Sequence, residues 1–215
     1  MARSRPPGRP AATEAEGLET RATLVSTAAR LFAEQGFEAT SLRQVAEGAQ
    51  VTPAMVAYYF KDKSGLLEAV VREGLGILLS VIRSVADEED DGDFIPRLMT
   101  RYIATTIDAP WIPQIIIREV VSKDTPLRTL FVEEFAVYAA SLVPAKVGAE
   151  IEAGRIREDL DPRLTIMSLL GMCLFPFIAH PVLGPLLGYE LDEAFGKAYA
   201  RHAIDLMYRG VGVHS

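Results

Sequence analysis

The chain is predicted to be all-α, with a small N-terminal helix-turn-helix unit followed by a larger helical body. Three observations carry this expectation. Apolar residues recur at helical spacing along most of the chain, no run alternates with the period of a strand, and two short capped segments flank a tight turn within 41–60. With 215 residues, 49% of them hydrophobic, the chain can build one large domain or a small one joined to a larger one. That apolar content excludes a disordered acidic chain.

Residues 1–17 are basic and then rich in Pro, Ala and Glu. They lack the apolar stretch of a secretory signal and suit a flexible arm carrying Arg3, Arg5 and Arg9. A first helix spans 18–35, with Leu24, Ala28, Leu31 and Phe32 on one face. Gly36 stops it, because glycine takes the left-handed conformation at little cost. Ser41-Leu42-Arg43-Gln44 then reads as a capping box ahead of Val45 and Ala46. After the turn 48–51, Thr52 offers an N-cap oxygen and Pro53 a first helical position, opening a short helix that Phe60 closes.

A long helix over 64–85 carries Leu67, Val71, Leu75, Leu78, Ile82 and Val85 on one stripe, up to six acids within 87–93. Further helices are expected at 95–107, 111–122, 126–152 with a bend at Pro144, 162–179 and 190–209. Leu164–Tyr189 contains no Asp, Glu, Lys or Arg and is long enough to cross a bilayer. Pro176, Pro181 and Pro185 argue against that, since lipid cannot replace the hydrogen bonds they remove. The expectation is a buried helix ending near Ala179, then a Pro/Gly loop, and no membrane.

Cys173 is the only cysteine, so there is no internal disulfide framework and no Cys-based zinc pattern; a cytoplasmic location fits. Residues 1–67 hold 8 Lys/Arg against 7 Asp/Glu, and the rest hold 14 against 22. An acidic body thus follows a near-neutral head, which argues against a non-specific nucleic-acid coat but allows one face to dock on DNA. Catalysis has no support. His180, His202 and His214 are far apart, no nucleophile motif is present, and Gly74-Leu75-Gly76 sits inside a helix without a third glycine. No enzyme, metal or cofactor is expected. Cys173 reads as a buried inert thiol, His202 as an interface histidine, and 87–93 as a solvated loop.

The segment 41–60 carries the chemistry. The second helix must be slim at its start to enter a major groove about 12 Å wide, and Thr52, Pro53, Ala54 and Met55 are small or flexible and uncharged. Tyr58 and Tyr59 can hydrogen-bond phosphate, Lys63 adds charge, and Phe60 belongs to the core. The run TSLRQVAEGAQVTPAMVAYYFKDKSGLLEAV at 40–70 resembles the DNA-binding segment of the tetracycline-repressor (TetR) family. Ser41, Arg43, Val45, Ala46, Val51, Thr52, Tyr58, Tyr59, Phe60, Lys63, Leu66 and Leu67 match its pattern. Helix 18–35 ending in Gly36-Phe37 matches the family's first helix, and 154–162 resembles a connection into its penultimate helix. Gln50 departs from the usual turn glycine, at about 1 kcal/mol for a left-handed backbone. Ala57 stands where a tyrosine is frequent.

The resemblance implies a flexible arm at 1–17, a DNA-binding domain at 18–63 and a ligand-binding and dimerisation domain at 64–215. It puts Arg43 on a base edge or phosphate, Thr52, Pro53, Ala54, Met55, Ala57 and Tyr58 at the groove, and Ser41, Tyr59 and Lys63 on phosphates. It further implies a homodimer, paired through its last two helices, that binds double-stranded DNA at a palindromic operator, most simply as a repressor. A small apolar effector would release it by tilting helix 64–85. Candidate effector contacts are Met99, Tyr102, Trp111, Arg118, Glu119, Phe131, Phe135, Tyr138, Met167 and Phe175, bulky or anchoring side chains able to line an apolar cavity. The alternative is an all-α ligand-binding or protein-interaction module without specific DNA recognition, for which Gln50 and Ala57 speak.

Overall fold

The computed structural model describes residues 14–88 and 94–211, so Arg3, Arg5, Arg9 and most of the acidic run lie outside the described residues. The described elements are all helical: α1 (Glu14–Gln35), α2 (Leu42–Gly48), α3 (Pro53–Phe60), α4 (Lys63–Ala86), α5 (Phe94–Asp108), α6 (Trp111–Ile115), α7 (Pro126–Phe131), α8 (Val137–Glu152), α9 (Pro162–Leu187) and α10 (Glu193–Val211). The chain divides into two compact units, the first ending at Val70 and the second beginning at Val71.

In the first unit, Leu24, Ala28 and Phe32 recur every fourth residue on the buried face of α1, and Leu31 is only half-buried. Val45 and Ala46 of α2, Val56 and Phe60 of α3, and Leu66 and Val70 complete the core. Burying one such large apolar side chain contributes about 1.5–3 kcal/mol. This packing of Leu66 and Val70 carries the unit boundary past residue 63 into the first turns of α4. Gly65 allows the turn into α4, because a Cβ there would lie 2.2 Å from the Phe60 carbonyl oxygen. The Asp62 carboxylate closes the turn by accepting from the Gly65 amide at 2.8 Å.

The second unit has a core of Phe94, Ile95, Met99 and Ile103 from α5, Val143 and Val147 from α8, Leu169, Cys173 and Phe177 from α9, and Ala200, Ala203 and Met207 from α10. Two expected helices depart from regular spacing. α6 continues as a π-helical turn over Ile116–Val121, and α7 passes through another at Val132–Ala136 before α8. The π-helical turn at 132–136 adds an irregularity ahead of Pro144, through which α8 continues.

α9 requires a correction. It does not end near Ala179 but continues through Pro176, Pro181 and Pro185 to Leu187, where Gly188 takes the left-handed cap. Pro176 removes the amide that would serve the Met172 carbonyl, and the Tyr199 hydroxyl of α10 donates to that carbonyl at 2.8 Å instead. The Tyr189 hydroxyl likewise donates to the Pro176 carbonyl at 3.0 Å. Pro185 lies on the exposed side, where the freed carbonyl of Pro181 can meet water. Among the described residues, α9 is long and apolar enough to cross a membrane by length and composition. Its Thr165, Leu169, Cys173 and Phe177, four residues apart, are buried against the rest of the unit.

Candidate nucleic-acid interface

The geometry of the interface begins with the turn between α2 and α3. The Ser41 hydroxyl accepts from the Gln44 amide at 3.2 Å, while the Gln44 side chain accepts from the Ser41 amide at 2.8 Å, so both partners of the capping box are in place. At the other end of α2 the Gln50 amide donates to the Glu47 carbonyl at 3.1 Å and the Val51 amide to the Ala46 carbonyl at 2.9 Å. That is the double bond pattern of a Schellman cap, which places Gln50 at the left-handed position with φ 57°. The strain expected at Gln50 is therefore present.

α3 starts differently from the sequence expectation. The Thr52 backbone is extended as an N-cap should be, but its hydroxyl makes no capping hydrogen bond. The main-chain carbonyl of Thr52 takes the Met55 amide at 3.0 Å, and Pro53 has no amide to offer. The hydroxyl is left on the exposed surface.

Burial then sorts the faces of α3. Val56 and Phe60 point into the core, Met55 and Tyr59 are half-buried, and Ala54, Ala57 and Tyr58 are exposed, with Lys61 one turn further on. Ala54, Ala57 and Tyr58 form a single outward stripe at i, i+3 and i+4, and Lys61 follows as the C-cap residue with φ 68°. Tyr58 is 82% exposed, with its ring edge-to-face on Tyr59 at 5.1 Å between centroids. Arg43 is exposed on α2 and enters no ion pair among the described residues. Lys63 is more constrained. Its Nζ donates to the Glu38 carbonyl at 3.0 Å and stands 4.5 Å from the centroid of the Phe37 ring.

The expected effector residues fall into three groups. Met99, Tyr102, Phe135 and Tyr138 belong to or pack against the main core of the second unit. Burial, and then the neighbouring Cys173, pushes the Tyr102 hydroxyl far above its ordinary pKa, and burial pushes the Cys173 thiol up to about 12. Trp111, Arg118, Glu119 and Phe131 lie on α6, α7 and the π-helical turn outside that core. Glu119 is only 3% exposed and its carboxylate pairs with Lys123 at 2.6 Å and Arg118 at 3.7 Å. Met167 and Phe175, at 68% and 59% exposed, stand on the open face of α9, away from the core. That face also presents Leu164, Leu170, Ile178, Val182 and Leu186. Among the described residues no group of three or more His, Cys, Asp or Glu could hold a metal ion.

Residues 24–70 match the family model described as bacterial regulatory proteins, tetR family. The HTH-type transcriptional regulator AcrR of Shigella flexneri is 41% identical over 58 residues, 27% of this chain and 27% of that protein. The chain spans about a quarter to a half of the length of the curated relatives it matches. Likeness in structure extends much further. The ketosteroid transcriptional regulator KstR2 of Mycobacterium tuberculosis superposes with a TM-score of 0.76 at 18% identity, covering 90% of this chain and 95% of that one. AibR, solved in complex with isovaleryl coenzyme A and operator DNA, gives a TM-score of 0.65 at 22% identity, covering 74% of this chain and 86% of that one. The head is thus matched in sequence to the tetR family over residues 24–70, and the all-helical fold is shared with solved regulators along most of the chain.

Proposed function

We propose that the chain is a cytoplasmic transcriptional repressor that binds a palindromic operator as a homodimer and releases it when a largely apolar small molecule binds the second unit. The observation that carries this reading is the outward face of the head: an uncharged stripe on α3 of two alanines and an 82% exposed Tyr58, with an exposed Arg43 on α2. A helix with that face fits a major groove closely, and side chains spent on no internal partner can serve DNA. Functionally the head then comprises 18–63, preceded within α1 by residues 14–17, and 64–215 form the effector and dimerisation domain. Thr52, Pro53, Ala54, Met55, Ala57 and Tyr58 face base edges, while Ser41, Tyr59 and Lys63 serve phosphates.

The open face of α9 supports the dimer. Its exposed apolar side chains run the length of the helix at helical spacing, and Leu206 of α10 is exposed as well. A second copy of the same pair of helices would cover them in a four-helix bundle. The effector side chains on this reading are Met99, Tyr102, Phe135 and Tyr138, with Glu119 and Arg118 as polar anchors.

The test is selection of duplexes from a random pool at near-physiological salt, with light scattering on the free protein. The expected result is an enriched palindrome and a mass twice the 23.5 kDa of the chain. Tyr58→Ala with Lys63→Ala should abolish enrichment and leave the dimer intact. A folded dimer that enriches no sequence would favour the ligand-binding or interaction module. For the effector, a ketosteroid is the first probe, because it is largely apolar and the solved neighbour KstR2 is described as a ketosteroid regulator. A compound that binds without changing operator affinity is not the inducer.

A further inference from the structure

We infer that the half-site read by α3 is thymine-rich, recognised through 5-methyl groups at the positions facing Ala54 and Ala57, with one guanine or phosphate left to Arg43. The inference rests on the reading of α3 as the groove helix and goes further, to what it reads.

The argument is one of donors and acceptors. The outward stripe opens with Ala54 and Ala57, each offering a single methyl group. A methyl cannot distinguish the nitrogen and oxygen atoms on the edges of guanine, cytosine or adenine. The one feature of the major groove it can recognise is the thymine 5-methyl, by apolar contact. Opposite a G·C pair the same alanines would face the cytosine amino group or guanine O6 and N7, shutting water out without supplying a partner. The small side chains also let the α3 backbone come close enough for that contact.

The surrounding residues add little competing information. The Thr52 hydroxyl makes no cap bond and can donate or accept, so it suits any base. Gln44 is taken up in the capping box. Lys61 follows α3 as its C-cap residue, and Lys63 is held on Glu38 and Phe37. Arg43 is the one guanidinium on α2 and α3, and so the one group there able to make a bidentate pair with guanine O6 and N7.

A thymine-to-uracil scan across the enriched half-site tests this without altering the protein, since each change removes one methyl and nothing else. Two positions should bind about fourfold more weakly when their methyl is absent, the value of one buried methyl group. Placing 5-methylcytosine there, paired with guanine, should bind more tightly than unmodified cytosine. Ala57→Gly should erase the uracil effect at one of the two positions only; should that variant not fold, the scan with the unaltered protein decides. Specific binding indifferent to uracil throughout the half-site, or G·C pairs enriched at both positions, would overturn the inference and leave the regulator reading standing. No enriched site at all would overturn both.

Discussion

Tyr199→Phe is expected to weaken the second unit by an amount that depends on residue 176. The Tyr199 hydroxyl donates to the Met172 carbonyl at 2.8 Å, and that carbonyl lacks its α-helical donor because Pro176 has no amide hydrogen. Removing the hydroxyl keeps the ring and its apolar burial but strands the acceptor in a half-buried stretch. A hydrogen bond contributes about 1 kcal/mol, and a stranded buried acceptor costs somewhat more, so the loss is about 1–2 kcal/mol. In a Pro176→Ala background the alanine amide can serve Met172, and the same Tyr199→Phe change should cost under about 0.5 kcal/mol. The coupling between the two sites is then about 1 kcal/mol, as for directly interacting neighbours. Urea unfolding of the four proteins would follow the fluorescence of Trp111, the single tryptophan, which lies in the second unit. Protein concentration must be held constant, since the stability of the proposed dimer would depend on it. An equal cost in both backgrounds would refute the idea that the hydroxyl replaces the missing amide.

Gln50→Gly should stabilise the head by about 0.5 kcal/mol, from about 1 kcal/mol of relieved left-handed strain less the greater freedom of unfolded glycine. Gln50→Ala should gain nothing, and a melting curve of each variant separates the two. Gly65→Ala should destabilise the head by more than about 2 kcal/mol, because the atom its Cβ meets at 2.2 Å is backbone and cannot rotate away; a melt no lower than wild type would contradict this. Asp161, the N-cap of α9, is held down to about 2 by its hydrogen bond from the Arg163 side chain and then by the Arg163 amide, against an ordinary 3.8. A carboxyl lowered on folding stabilises above its unfolded value and loses that contribution as the pH falls from about 4 through 2, so Asp161→Asn should flatten that part of the acid-unfolding curve.

The head was legible in the sequence because its signals are local. The capping box at Ser41 and Gln44, the turn at Gln50 and Pro53 at the start of α3 each involve residues within a few positions of one another. Thr52 shows where local reading stops: the side chain type suits a cap, but the backbone carbonyl had already taken the amide it would have bonded. α9 was misread for the opposite reason. Counting lost helical bonds at three prolines is sound locally, yet the replacement donor for Met172 comes from Tyr199, 27 residues away. Nor could periodicity separate the two faces of α9, since nearly every position there is apolar. Met167 and Phe175 looked like cavity residues for that reason and stand on the open face. The π-helical turns at 116–121 and 132–136 leave no signature in composition at all.

The charge balance and the two apolar features bear on one another. A chain of net charge −7 is not drawn to DNA as a whole, and the groove-facing middle of α3 adds no cation. A single head reading methyl groups, with Arg43 and a few phosphate contacts beside it, is a weak binder by itself. Joining two such heads makes the second contact intramolecular, raising its effective concentration to the millimolar range without any new interaction. On this view the exposed stripe of α9 is what makes the face of α3 useful. In the proposed dimer, affinity would depend on both heads meeting successive grooves together, so an effector would not need to touch the DNA-binding face to release it. A change in head spacing that breaks one contact returns the protein to single-head affinity, and an acidic body favours departure from there.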